Sequence, residues 1–406
     1  MVSSQKNLQL AAFYFIFASA VADLVSIFAC HTLLIAAIVA TMLARQELRV
    51  PPIKLPFGLF IAGTLLALLL SDNTRAGFPQ FKKLFVFSML FLAYTLIRRV
   101  PDIRRLVLWW TAAATVQALW SYGQYVRKVN AARALHVDFY TYYVSRRITG
   151  FLGHWMPFSA VQMMALLMLI SLLFFAPPRD RRAVIGLWFC ALLIAYSILL
   201  SETRSIWAAT AVGTAFLVWK WKPKMVLAVP VILGAAFLAA PHVVKERVIS
   251  IYKPHGRNGE TDSNRHRQVT YRVGFEMIKA HPWFGLGPEM PGIEFQKYVP
   301  PEIRPLPDGY YGHLHSIYTQ YAAERGIPTA LCMMWLLGKI LFDFLRALRT
   351  SIDPYIAGGV AVVIGILIEG IVEYNLGTSP PLGMFLAVVA IGYSAIAARC
   401  VEPADA

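Results

Sequence analysis

Two histidines separated by one residue, His313 and His315, stand in the segment Gly309-Tyr310-Tyr311-Gly312-His313-Leu314-His315-Ser316. Imidazole titrates near neutrality, so such a residue takes a proton from a sugar hydroxyl or donates a hydrogen bond to a phosphate. Arginines form the second group: Arg146-Arg147, Arg265-x-Arg267, and Arg204 after Ser201-Glu202-Thr203. The guanidinium's planar fork binds phosphate oxygens bidentately and keeps its charge. Together these residue types suit the binding of a pyrophosphate beside a hydroxyl to be activated. At i and i+2 the two histidines would point to opposite faces of a strand, or about 200° apart on a helix, so only one need face a site. No third histidine and no cysteine lies nearby; Glu324 or Asp308 could complete a metal site, but none is assigned.

The elements that must position these residues are set by composition. The chain has 406 residues, 58% of them hydrophobic, and its mean hydropathy is +0.56. Apolar windows of about 17 to 25 residues, the length that crosses a hydrocarbon core as helix, recur from Leu10 to Ala398. The reading is an all-α polytopic membrane protein of about twelve helices, over 10–28, 29–45, 55–71, 82–98, 105–126, 153–175, 183–200, 203–220, 225–241, 326–348, 354–374 and 379–399. Asp23, Ser26 and His31 interrupt the first pair, which leaves a single broken or re-entrant element as an alternative. The first segment has only Lys6 ahead of it and no small-residue cleavage site, as expected of a retained signal anchor. Cys30, Cys190, Cys332 and Cys400 lie far apart without metal-ligand spacing and are expected as free thiols.

A net charge of +16 would suggest nucleic acid in a soluble protein; in a membrane protein much of it sets orientation, and no nucleic-acid partner is expected. With both termini cytoplasmic, every short inside loop is basic, from Arg45, Arg49 and Lys54 to Arg346 and Arg349. That orientation divides the chain into helices one to nine over 1–241, a large outside loop over 242–325, and helices ten to twelve with a tail over 326–406. A short basic outside segment lies near 127–152. The outside arginines oppose the positive-inside bias and need another reason to be there. For Arg127, Lys128, Lys82 and Lys83, contact with lipid headgroups suffices. Arg204 is equally open to pairing with Glu202. Intramembrane carboxylates are expensive and tend to be paired or functional: Glu373 could pair with a site arginine, Glu369 calls for the same explanation, and Asp23 could bind an acceptor or sit in a polar boundary.

These residues resemble the O-antigen ligase and polymerase superfamily of bacterial membrane glycosyltransferases. His315-Ser316, nine residues, Gly326 and then Thr329 is similar to the ligase signature. Arg267, Tyr271 and a helix ending in His281-Pro282-x-x-Gly285-x-Gly287 resembles a second family pattern, with Tyr271 where tryptophan is usual. Thr203-Arg204-Ser205 opening a span resembles a third. The resemblance implies a GT-C type fold and transfer of O-antigen from undecaprenyl pyrophosphate to the lipid A-core, on the periplasmic face of the inner membrane, without metal, nucleotide or cofactor.

On that footing His315 is the candidate general base, or the residue orienting the acceptor. His313 holds a phosphate or the hydroxyl; Arg265 and Arg267 stabilise the leaving diphosphate, and Arg146, Arg147 and Arg204 support them. No carboxylate pair in the outer loops suggests a double displacement, so inversion is expected. Tyr310, Tyr311, Trp283 and Tyr140 could stack on sugars. An O-antigen polymerase or protein O-oligosaccharyltransferase would share donor and site. A transporter of lipid-linked glycans would instead spread its basic residues along the membrane.

Overall fold

The computed structural model describes residues 2–249 and 263–399. The polar stretch read at 256–264 thus lies largely outside the described residues, as do Cys400 and the end of the tail. No strand occurs among the described residues. The helices are α1 (Val2–Ala22), α2 (Ile27–Leu43), α3 (Lys54–Leu69), α4 (Thr74–Lys82), α5 (Ser88–Leu96), α6 (Val100–Ala134), α7 (Phe139–Val144), α8 (Trp155–Phe175) and α9 (Arg181–Leu200). They continue with α10 (Arg204–Trp221), α11 (Ala228–Ala239), α12 (His242–Ile249), α13 (Ser263–Ala280), α14 (Met290–Ile293), α15 (Ile317–Ala347), α16 (Pro354–Glu369) and α17 (Ser379–Arg399).

Each expected window falls on helix. Among the described residues α8, α9, α15 and α17 are long and apolar enough to cross a membrane, and α2, α3 and α16 are shorter apolar helices. The chain is a multi-pass membrane protein. Several windows differ in detail. The segments read at 82–98 and 225–241 each open with a 3-10 turn, Lys83–Phe87 and Pro223–Leu227. The first pair is two helices packed along each other, because Ser26 caps α2 by accepting from the Ala29 amide at 3.3 Å. The window at 354–374 stops at Glu369, which leaves Glu373 on a loop.

Helices apolar on all sides belong inside a bundle. In α8 and α17, 89% and 83% of the apolar window is buried, whereas in α9 it is 28%; the first two are central and α9 is a rim helix, with Ile185, Phe189 and Leu192 turned outward. Asp180 and Asp353 fix the starts of α9 and α16 by accepting from first-turn amides. With 35 residues, α6 is about 52 Å long, well beyond the roughly 30 Å of hydrocarbon. Its last turns therefore extend past the core and carry Arg127, Lys128 and Arg133. A lobe over 263–316 has its own core of Val269, Val273, Met277, Leu286, Phe295 and Leu314, closed by Ala323 of α15.

Candidate active site

The site forms where α13, the histidine segment and the α16–α17 loop converge. Arg267 and Tyr271 lie one turn apart on α13 and share a face. Arg267 pairs with the fully buried Glu373, and the Tyr271 hydroxyl donates to the Ile371 carbonyl. The start of α15 joins the same loop through the Ile317 amide, which donates to the Gly370 carbonyl at 2.9 Å. Burial raises the Glu373 carboxyl, but Arg267 and then His315 outweigh it and hold it below its ordinary value, so it is ionised. His315 Nδ1 stands 3.9 Å from Glu373 Oε2, beyond hydrogen-bond length, and the attraction between them becomes strong when the ring is protonated.

The histidines do not point apart. His315 has φ +51°, so the chain turns instead of running as strand or helix, and the two rings lie 4.2 Å apart. Leu314 between them fills the lobe core against Gly274, and its amide donates to Gln320 Oε1 at 2.7 Å. The His315 amide donates to His313 Nδ1 at 3.3 Å. His315 Nε2 faces the Tyr310 carbonyl at 3.3 Å. A carbonyl only accepts, so this contact places the ring proton on Nε2 and leaves the Nδ1 lone pair on the Glu373 side. His266 packs edge-on to His315 with ring centres 5.0 Å apart, and Tyr311 packs against His266 at 4.6 Å.

Burial, then the neighbouring His315, pushes His313 down to about 3 and His266 down to about 4. The unfolded chain takes up these protons near pH 6.5, so below that value the unfolded state binds more protons and stability falls as pH falls. The thermal midpoint in detergent is expected to drop between pH 7 and pH 5, and to drop less in His313→Asn. Equal slopes for the two proteins would show that His313 is not the group responsible.

Two segments of the sequence prove to be halves of one clamp. The Leu286 and Gly287 amides donate to the Ala323 and Glu324 carbonyls at 2.8 and 2.9 Å, and the Ile327 amide donates to the Pro282 carbonyl at 2.8 Å. Gly326 breaks α15 at φ 78°, ψ 164°, and a Cβ there would come within 2.1 Å of the Trp283 carbonyl oxygen. A Cβ at Gly285 would meet the Glu324 backbone at 2.3 Å. Glu324, weighed above as a metal ligand, instead pairs with Arg325 at 2.5 Å and accepts from Gln320 and from the Glu289 amide. Gly326→Ala is expected to cost at least roughly 1–3 kcal/mol from the backbone alone. It should appear as faster proteolysis of the 281–290 segment and a lower midpoint.

The remaining arginines separate by burial. Arg147 is buried and lies 5.0 Å over the Trp155 ring, and its Nε has no hydrogen-bond partner among the described residues. Burial, then Arg247, lowers it to about 9, against the pull of Glu202 and Glu373; it remains charged at neutral pH. Arg146 points away, exposed over the Tyr142 ring at 4.7 Å, so the adjacent pair does not form one concave anion site. Arg204 donates to Asn264 Oδ1 at 2.7 Å, linking α10 to α13. Arg265 is exposed on the side of Tyr311. Arg247 donates from Nε to the Glu202 carbonyl at 3.2 Å. Arg267 thus contacts Glu373, while Arg147 and Arg204 feel the charges of Glu373 and of Arg247.

Arg247, His154, His266 and Tyr374, whose ring lies 5.9 Å from His313, escaped the sequence reading. Only His266, between Arg265 and Arg267, had a local signal. Asp23 is buried, accepts from the Cys30 thiol at 3.0 Å and lies against Gly383, out of reach of an acceptor. Glu369 accepts from Asn375 Nδ2 at 2.5 Å and fixes the loop. Among the possible sugar platforms Trp283 and Tyr310 are 70% and 66% exposed, whereas Tyr311 is taken up in packing against Phe295.

A search of curated proteins returns no match for the chain. A family profile described as O-antigen ligase matches residues 189–334, from α9 to the middle of α15. That stretch holds Arg204, α13, the two-part clamp and both site histidines. Over those residues the chain is similar to the O-antigen ligase family, which supports the resemblance carried by its motifs.

Proposed function

We propose that the chain is an O-antigen ligase of the GT-C type with about twelve spans, both termini cytoplasmic, working on the periplasmic face of the inner membrane. It transfers O-antigen from undecaprenyl pyrophosphate to a sugar hydroxyl of the lipid A-core, without metal or cofactor and with inversion. The observation that carries the reading is the convergence of His315, Glu373 and Arg267, within the field of buried Arg147 and half-buried Arg204. The acceptor hydroxyl oxygen attacks the anomeric carbon while the bond from that carbon to the phosphate oxygen breaks. The diphosphate leaves with the electron pair, and the hydroxyl proton passes to His315 Nδ1. Glu373 stabilises the imidazolium so formed; the arginines stabilise the developing diphosphate charge. Arg265 and Arg146, being exposed, contact the outer parts of the substrate.

The test offers lipid A-core, a second lipid-linked glycan and an acceptor protein in equal amounts to the purified chain with labelled donor. Label on lipid A-core, with the anomeric configuration inverted by NMR, is expected. Label on the second glycan or the protein would reassign the chain as a polymerase or an O-oligosaccharyltransferase. A retained configuration would refute the single displacement.

A further inference from the structure

His154 is the first residue before α8, and its ring nitrogen Nδ1 accepts the Met156 amide at 3.2 Å. A neutral imidazole has one proton, so this cap fixes it on Nε2 and makes that nitrogen a donor. The ring cannot turn freely, because it stacks on Trp155 with centres 4.1 Å apart and planes at 27°. The same indole carries the Arg147 guanidinium at 5.0 Å. His154 is exposed, and no described residue accepts from its Nε2. Partial burial lowers its basicity, and the charges of Glu373, Arg147 and His315 act on it; through the shared Trp155 indole it is joined to the buried Arg147.

We infer that His154 is a substrate-binding residue: its fixed Nε2–H donates to an oxygen of the lipid-linked diphosphate that Arg147 holds. The inference rests on the function proposed above and adds a contact from the start of α8. A neutral donor beside a buried arginine fixes the rotation of a diphosphate that a guanidinium alone would hold in several ways. Its cap and its donor use different nitrogens, so two substitutions separate them. His154→Asn keeps an acceptor at the cap, where asparagine is favoured, and loses the distal donor. His154→Gln keeps an N–H near the position of Nε2 and caps less well.

The experiment measures binding of undecaprenyl diphosphate to the full chain in detergent, with the thermal midpoint of each variant. Weakening by roughly 10–100-fold is expected for His154→Asn at an unchanged midpoint, with His154→Gln within about threefold of wild type. Wild-type affinity in His154→Asn, or equal weakening in both variants, overturns the inference while leaving the proposed function standing. If the wild type itself does not bind the diphosphate, the proposed function fails and this inference with it.

Discussion

Replacement of His315 by alanine is expected to lower transfer roughly 10²–10⁴-fold, the range for removing a positioned general base. The thermal midpoint should change far less than the rate, since Leu314 fills the lobe core and the ring's loss removes only its contacts with His266, His313 and the Tyr310 carbonyl. The loss should fall on kcat more than on KM, because proton transfer belongs to the transition state and the arginines still bind the donor. His313→Ala should act differently. That side chain is the acceptor for the His315 amide, so its loss disturbs the turn that aims His315 and lowers both stability and rate. An unchanged kcat in His315→Ala would remove the residue from the chemistry and leave the arginine site without a base.

The second large effect concerns the Arg267–Glu373 pair. Glu373 is fully buried and Arg267 largely so. Replacing Arg267 by methionine strands a carboxylate, which costs about 3–5 kcal/mol when a buried pair is broken from one side. Protonation of Glu373 relieves part of this, so the loss in Arg267→Met should shrink as pH falls. Glu373→Gln keeps the shape and is expected to destabilise less, yet it removes the charge that stabilises the protonated His315 and should lower kcat. The double variant Arg267→Met/Glu373→Gln should regain stability over Arg267→Met and recover no activity. A double-mutant cycle in thermal unfolding and in rate checks both parts. Additive stability losses would mean that the two residues do not act as a pair.

The helices were legible because lipid imposes one rule on every span: length and apolarity. The same rule says nothing about ends, and so the loop at Ile371–Tyr374 read as a continuation of α16 although it delivers Glu373. The possible partnership of Glu373 with a site arginine was nonetheless readable, since a membrane carboxylate has to be satisfied. Gly326 could be placed at a boundary, but its contact with Trp283 joins segments more than 40 residues apart and exists only in three dimensions. The relation between His313 and His315 was misread because a two-residue spacing implies opposite faces only in regular structure, and His315 turns through a left-handed φ. Arg146 and Arg147 show the converse. Adjacent in sequence, they are separated by burial once Arg147 is drawn under Trp155. Arg247 and His154 had no local pattern at all; each matters only through what the fold brings beside it.

The central claim is that this site joins glycan transfer to release of a lipid diphosphate. The most direct measurement incubates the purified chain with glycan-linked undecaprenyl pyrophosphate and lipid A-core in detergent and follows both products together. One undecaprenyl diphosphate released for each glycan joined to lipid A-core is the predicted result. Intact donor at the end of the incubation, or diphosphate released without a joined glycan, would contradict it.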